Sequence, residues 1–335
     1  MKECYIIAFA VSFLLSLVIT PIIRNIFKYF NLTDRPGKRK LHHRDIPSSG
    51  GIAIYISIIV TIGILYFFNI AFRDLLFSYN FLQKVLSGII IGSTIILLLG
   101  VIDDRKSLNP LTKLLVQIIV ILITIEYGIK IVGIKIPLIK TYILLPIFFS
   151  ILVTTIWMVV FINSINLIDG IDGLAAGVVA IGSIVFFIVT FLQINKQLSI
   201  TVTRELILVG ILCLSLGGAV LGFLRYNFPP STVFMGDTGS MLIGYFLGTV
   251  TILGILKLTA TISIFIPILI IAFPILETLF TAIRRLKMKK SLFQPDKDHI
   301  HHRLLAYGYS AKQIVIGVYI FSSILGIGAI ILSLK

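Results

Sequence analysis

Residues 161–175 read FINSINLIDGIDGLA, and the twenty residues before them are almost unbroken apolar sequence. A run of that length crosses a bilayer as a helix. What is unusual is its end, where Asn163, Asn166, Asp169 and Asp172 follow one another at intervals of three, threaded with Gly170 and Gly173. On a continuing helix Asn166, Asp169 and Asp172 would share one side. Glycines there allow a ligand or a second helix to approach the backbone closely. Capping and interfacial solvation explain one such aspartate. A row of them at membrane depth is costly, and such rows generally mark function.

The rest of the chain has the same character. Of its 335 residues, 58% are hydrophobic and 13% charged, with a mean hydropathy of +1.08, whereas soluble domains carry about 25% charge. We read an all-α polytopic membrane protein, a single domain over residues 1–335, with ten spans near 5–23, 51–70, 84–102, 112–129, 142–162, 173–193, 205–223, 239–256, 259–283 and 313–333. The first run lacks a basic leader and a small-residue cleavage site and reads as a retained span. Cys4 and Cys213 fall in or beside spans, which leaves no disulfide or zinc framework.

The connections 24–50, 103–113, 163–172, 224–238 and 284–312 hold 19 of the 29 lysines and arginines. Basic excess marks the cytoplasmic side, so these five are expected to face inward, with both termini outward. Nine of the 14 acids lie on the same side. Topology and anionic headgroups account for the net charge of +15 without any nucleic-acid partner.

Four further stretches carry polar constellations. In GVIDDRKSLNPLTKLLVQ (100–117), Asp103 and Asp104 close a span where acids oppose the helix dipole, so they need an offsetting cation, and Lys113 is within reach. In RYNFPPSTVFMGDTGSMLIGY (225–245), two prolines stop any helix. Asp237 then sits in a glycine-rich turn that opens the next one, a setting suited to metal-bound phosphate or to a plain N-cap. QPDKDHIHHRLLAYGYS (294–310) brings His299, His301, His302 and Arg303 together. Zinc is the rival reading, but no cysteine is near and the adjacent arginine argues for phosphate recognition. DRPGKRKLHHRDIPSSGGIAIY (34–55) contributes Arg44 among residues that mostly set topology, followed by the Gly50–Gly51 pair.

Carboxylates and an amide for a hard cation, with lysine, arginine and histidine for anions, suit Mg²⁺ completed by substrate phosphates. The chemistry is then phosphoryl transfer from a soluble donor to a lipid.

Five motifs in order, DRPGKRKLHHRDIPSSGG, IDDR, NLIDGIDGLAAG, VFMGDTGS and HIHHRL, resemble the polyprenyl-phosphate N-acetylhexosamine-1-phosphate transferases nearly end to end, and in particular the bacterial undecaprenyl-phosphate GlcNAc-1-phosphate branch. The resemblance implies Mg²⁺ (Mn²⁺ as substitute) held by Asn166 and Asp237. It implies a uridine pocket of Gly170, Asp172 and Phe234, and an acidic pair, Asp103 and Asp104, near the acceptor phosphate, with Lys113 contacting phosphate. His299, His301, His302 and Arg303, with Arg44, become substrate-binding, and Asp169 a catalytic acid of open role. The implied substrates are UDP-GlcNAc and undecaprenyl phosphate, the setting the bacterial cytoplasmic membrane, and the assembly a homodimer by analogy. Direct attack by the acceptor phosphate, which is largely ionised at neutral pH, is favoured over an aspartyl intermediate, with Asp103 as base the alternative. Ile300 interrupts the three consecutive histidines expected of the muropeptide translocase branch. A transporter would place its polar groups at mid-membrane in paired repeats, and a CDP-alcohol phosphotransferase needs arginine where Gly177 stands.

Overall fold

The computed structural model describes residues 1–30, 32–34, 46–135, 142–194, 199–255, 265–287 and 300–334. The long helices are α1 (Lys2–Tyr29), α2 (Gly50–Phe68), α4 (Asn80–Lys106), α5 (Pro110–Glu126), α6 (Ile147–Ile168), α7 (Leu174–Ile194), α8 (Ile200–Asn227), α9 (Gly236–Ile255), α11 (Ala272–Lys287) and α13 (Ala311–Leu334). Three short ones, α3 (Ile70–Phe77), α10 (Phe265–Ile270) and α12 (Ile300–Ala306), lie between them. Two antiparallel ribbons, β1 (Thr33–Asp34) with β2 (Ile46–Pro47) and β3 (Gly133–Lys135) with β4 (Tyr142–Leu144), are the strands among the described residues.

Seven helices (α1, α2, α4, α6, α7, α8 and α13) are long and apolar enough to cross a membrane. The chain is therefore a polytopic helical membrane protein, although ten spans are not matched among the described residues. The expected span 259–283 is the clearest difference. Its first part lies outside the described residues, and the rest is two helices, α10 and α11, with a turn at Ile271. Pro274 has no N–H to offer the carbonyl at 270, which explains the break.

Burial is arranged for lipid outside and small residues inside. On α1 the residues Cys4, Ala8, Ser12, Ser16 and Thr20 are buried at four-residue spacing, while Leu14, Val18 and Ile22 are exposed. That small-residue stripe meets Gly218 and Gly222 of α8, where a Cβ would lie 2.2 Å from Ser12 Oγ and 2.5 Å from the Phe13 carbonyl. Small residues let membrane helices close up without a hydrophobic driving force between them. Helix α8, buried on nearly every side from Leu206 to Phe223, is the centre of the bundle.

The chain alternates direction from helix to helix. One end of the bundle is tied by Cys4 Sγ to Asn69 Oδ1 (3.3 Å), Arg204 to the Ser78 carbonyl (3.2 Å) and Gln193 to the Ser333 carbonyl (2.8 Å). Both chain termini are at that end. The last turns of α4, α6 and α8 and the first turns of α2, α5, α7, α9 and α13 meet at the other, which is where the polar motifs are.

Candidate active site

Several motif residues prove to be helical. The expected connection 103–113 contracts to residues 107–109, because α4 runs on through Lys106, and α6 likewise continues through Asn163 and Asn166 to Ile168. Asp169 is the C-cap of α6 and Asp172 lies in the turn before α7. The expected helical row of Asn166, Asp169 and Asp172 is thus broken after its first member. Backbone turning, not helical periodicity, brings the three to one cavity.

That cavity, about 1340 Å³ in volume, is lined by Asp103, Asp104, Asn166, Asp169, Gly170, Asp172, Phe234 and Asp237. The acids at the end of α4 have the offsetting partners that the dipole argument required. Asp103, buried, accepts from the Leu108 N–H at 2.7 Å and forms an ion pair with Lys113. Lys113 also donates to Asp237 Oδ2 at 3.0 Å. Asp104 turns the other way and caps α9. Its carboxylate accepts from the N–H of Asp237 (2.8 Å), the N–H of Thr238 (3.1 Å) and the Thr238 hydroxyl (2.5 Å). An anion at a helix N-terminus is stabilised by the free N–H groups and the dipole. Asp237 is therefore not itself the cap, and its side chain stays free for Lys113 and for Asn166 Nδ2, which donates to Oδ1 at 2.8 Å.

Glycines make this junction fit. Gly236 has a φ of +70°, and a Cβ there would lie 2.1 Å from Ser48 Oγ and 2.6 Å from Asp104 Oδ2. The Gly50–Gly51 pair is explained by packing: a Cβ on Gly51 would meet the Gly239 amide nitrogen at 2.4 Å.

The second wall joins the turn before α7 to the segment before α9. Asp172 Oδ2 accepts from the Ser231 N–H at 3.0 Å. Asn227, buried, accepts from the Gly173 N–H and donates to the Val233 carbonyl, each at 2.9 Å. Phe234 is held by its backbone to β2, donating to the Pro47 carbonyl at 2.9 Å and accepting from the Ser49 and Gly50 N–H groups. Asp169 is half-buried between these walls. Desolvation, then the negative charge of Asp237, Asp104 and Asp172, raises its carboxyl well above the ordinary range.

The histidine motif is only partly in view. Arg44 and His299 lie outside the described residues, as do the side chains of His301 and His302 on α12. Arg303 is exposed and is not among the cavity's lining residues. Lys312, at the start of α13, does line it, with its ammonium 6.0 Å from the Phe228 ring centre. Sequence reasoning missed Asn227, Thr238 and Lys312. Asn227 left one usable signal, an amide standing between a long apolar helix and a double proline.

The donor set suits a hard divalent cation. Five carboxylates line the cavity, together with Arg105 and Lys312, and Lys113 is shared between two of the five, so oxygen donors outnumber the cations beside them. No cluster of three or more histidine, cysteine or acidic side chains forms a closed metal cage among the described residues. Mg²⁺ itself needs no such cage, since it uses one or two protein carboxylates and takes its other ligands from water and phosphate.

Fold and site define a membrane-embedded enzyme class with an acidic cavity at one bundle end. The glycosyl transferase family 4 model matches residues 86–255, and the chain belongs to that family. It is 36% identical over 327 residues to a Bacillus subtilis (strain 168) protein named "Probable undecaprenyl-phosphate N-acetylglucosaminyl 1-phosphate transferase", covering 98% of this chain and 84% of the relative. A Mycobacterium leprae decaprenyl-phosphate N-acetylglucosaminephosphotransferase is 32% identical, with 88% and 75% covered. The undecaprenyl-phosphate alpha-N-acetylglucosaminyl 1-phosphate transferase of Escherichia coli K12 is 28% identical, with 90% and 77% covered.

Proposed function

We propose that this protein transfers GlcNAc-1-phosphate from UDP-GlcNAc to undecaprenyl phosphate at the cytoplasmic face of a bacterial inner membrane. An oxygen of the lipid phosphate forms a bond to the β-phosphorus of the donor. The bond from that phosphorus to the oxygen bridging to the α-phosphate breaks, and UMP leaves with it. The observation that carries the reading is the convergence of Asp103, Asn166 and Asp237, from three helices, on one cavity, with Lys113 of a fourth helix paired to both Asp103 and Asp237. The names of the relatives support the lipid and the sugar phosphate.

The cavity has the mixed character such substrates need. Phe27, Leu32, Ile52 and Val101 are apolar lining suited to the start of a polyprenyl chain, and Asp172 and Gly170 line the same cavity with polar groups, beside Phe234. Phosphoryl transfer depends on positioning and charge neutralisation more than on covalent help from the protein. Both acids of α4 are committed, Asp103 to Lys113 and Leu108, Asp104 to the start of α9, which supports direct attack over an aspartyl intermediate. Asn166 and Asp237 are the residues to hold Mg²⁺, whose charge would offset the donor's pyrophosphate. Lys113, held between Asp103 and Asp237, is the lysine we assign to phosphate contact.

The test is purified protein in detergent with Mg²⁺, undecaprenyl phosphate and UDP-GlcNAc, scoring UMP. Release should require the lipid phosphate and stop with EDTA. Equal release without the lipid, or full rate in EDTA, would refute the reading. UDP-GalNAc and UDP-MurNAc-pentapeptide run in parallel report the sugar.

A further inference from the structure

One turn below the charged cluster, the same three helices meet again through polar or polarisable groups. Lys113 of α5 is followed after four residues by Gln117, and Asp237 of α9 after four by Met241. Asn166 of α6 is preceded three residues earlier by Asn163. These spacings put each second residue under the first on its helix. Asn163 Nδ2 donates to Gln117 Oε1 at 2.8 Å and to the Val159 carbonyl at 2.9 Å. Gln117 Nε2 approaches Asn163 Oδ1 and Met241 Sδ, each at 3.5 Å. Gln117 is buried.

We propose that Gln117 and Asn163 form an amide clasp that sets the spacing of Lys113, Asp237 and Asn166 one turn above, and so act as positioning residues for the transfer. This rests on the function proposed above. The charged layer cannot hold this spacing by itself. The Lys113 ammonium reaches carboxylates on α4 and α9, not on α6, and does so through a long, flexible stem, so these pairs do not fix α5 against α6. A paired amide does, because both partners are short and planar. In a low-dielectric interior Gln117 left alone would keep only the Met241 sulfur, and Asn163 only the Val159 carbonyl, so each amide oxygen would go unpaired. The simpler alternative is helix-to-helix adhesion, the ordinary use of polar pairs in membranes. The two differ in what they predict: adhesion shows in stability, the clasp in kcat.

The experiment compares Gln117→Met, Asn163→Leu and the double variant for UMP release and for the thermal unfolding midpoint in detergent. The clasp predicts a loss of kcat on the order of tenfold in each single variant, in the range typical of residues that orient a metal-site shell. KM for both substrates should stay near that of the unsubstituted protein. The midpoint should drop in each single variant, where one buried amide is left without its mate, and recover in the double variant, whose kcat stays low but no worse than that of either single one. Wild-type kcat in the single variants, losses that multiply in the double, or activity falling only in step with the midpoint would overturn it. If the apolar variants do not accumulate, Gln117→Asn, which keeps an amide but shortens its reach, is read by the same criteria. No UMP release from the unsubstituted protein would sink the transferase reading and the clasp with it. Release with unaltered variants sinks the clasp alone.

Discussion

Two aspartates within one hydrogen bond of each other are assigned different tasks, and substitution separates them. Asp237 presents its carboxylate to Lys113 and Asn166, while Asp104 uses its own on the Asp237 and Thr238 N–H groups in the first turn of α9. Asp237→Ala should abolish UMP release and leave the thermal midpoint almost unchanged, since Lys113 keeps Asp103 as its partner. Asp104→Ala should lower both, because the start of α9 loses its cap. A lost cap costs about 1 kcal/mol, on the order of 2 °C in midpoint, and Asp237 then sits on a frayed turn. Near-normal turnover by Asp237→Ala would remove it from the cation site, and an unmoved midpoint in Asp104→Ala would remove the capping role. At this scale the sequence was partly legible. Residue types named the participants, and the dipole conflict of two acids at a helix end said that they needed partners. It did not say that one of those partners would be the start of α9, 133 residues away along the chain, because nothing local encodes that pairing.

Among the elements, α9 matters most, because it reaches the site threaded between two others. A Cβ on Gly100 of α4 would lie 2.3 Å from Thr238 Cα, and one on Gly51 of α2 would lie 2.4 Å from the Gly239 nitrogen. Both contacts are with backbone, which cannot rotate away. Gly100→Ala should therefore push the start of α9 off Asp104, costing about 1–3 kcal/mol in overpacking. Turnover should fall at least tenfold, since a misplacement near 1 Å can cost about a hundredfold. Gly63→Ala on α2, where nothing lies within 4 Å, is the control and should leave midpoint and rate unaltered. Equal behaviour of the two variants would show that close approach at Gly100 does not position the site. Spans were legible in the sequence because apolar length is a strong signal. Their ends were not, and the shifts are physical: α4, α6 and α8 keep their hydrogen bonds past the first polar residues because their final turns are tied to α9 and the segment before it, through Asp104, Asn166 and Asn227, and are not dissolved in lipid. The break between α10 and α11 was marked by Pro267 and Pro274, but an apolar run across both prolines read as one span.

For the molecule as a whole, the decisive property is that the cavity and the two termini are at opposite ends of the bundle. The cavity end includes Arg105, Lys106, Lys113, Arg225 and Lys312, and the basic excess of the chain belongs to the connections on that side. Moving such residues across a bilayer is unfavourable, which is why the cytoplasm is the side proposed for the cavity. A nucleotide-sugar donor would be met on the same side. The proposed sidedness rests on counts of charge and not on contacts. It can be tested without any assay of turnover. Cys4 and Cys213 are both buried and can be replaced to give a background without thiols. Into it, Lys106→Cys and Lys312→Cys report the cavity end and Asp74→Cys, exposed on α3, the opposite end. A membrane-impermeant maleimide added to intact cells should label only the Asp74 position, and after permeabilisation all three should react. Labelling of the Lys106 or Lys312 position from outside would turn the bundle over and leave the cavity without access to a cytoplasmic donor.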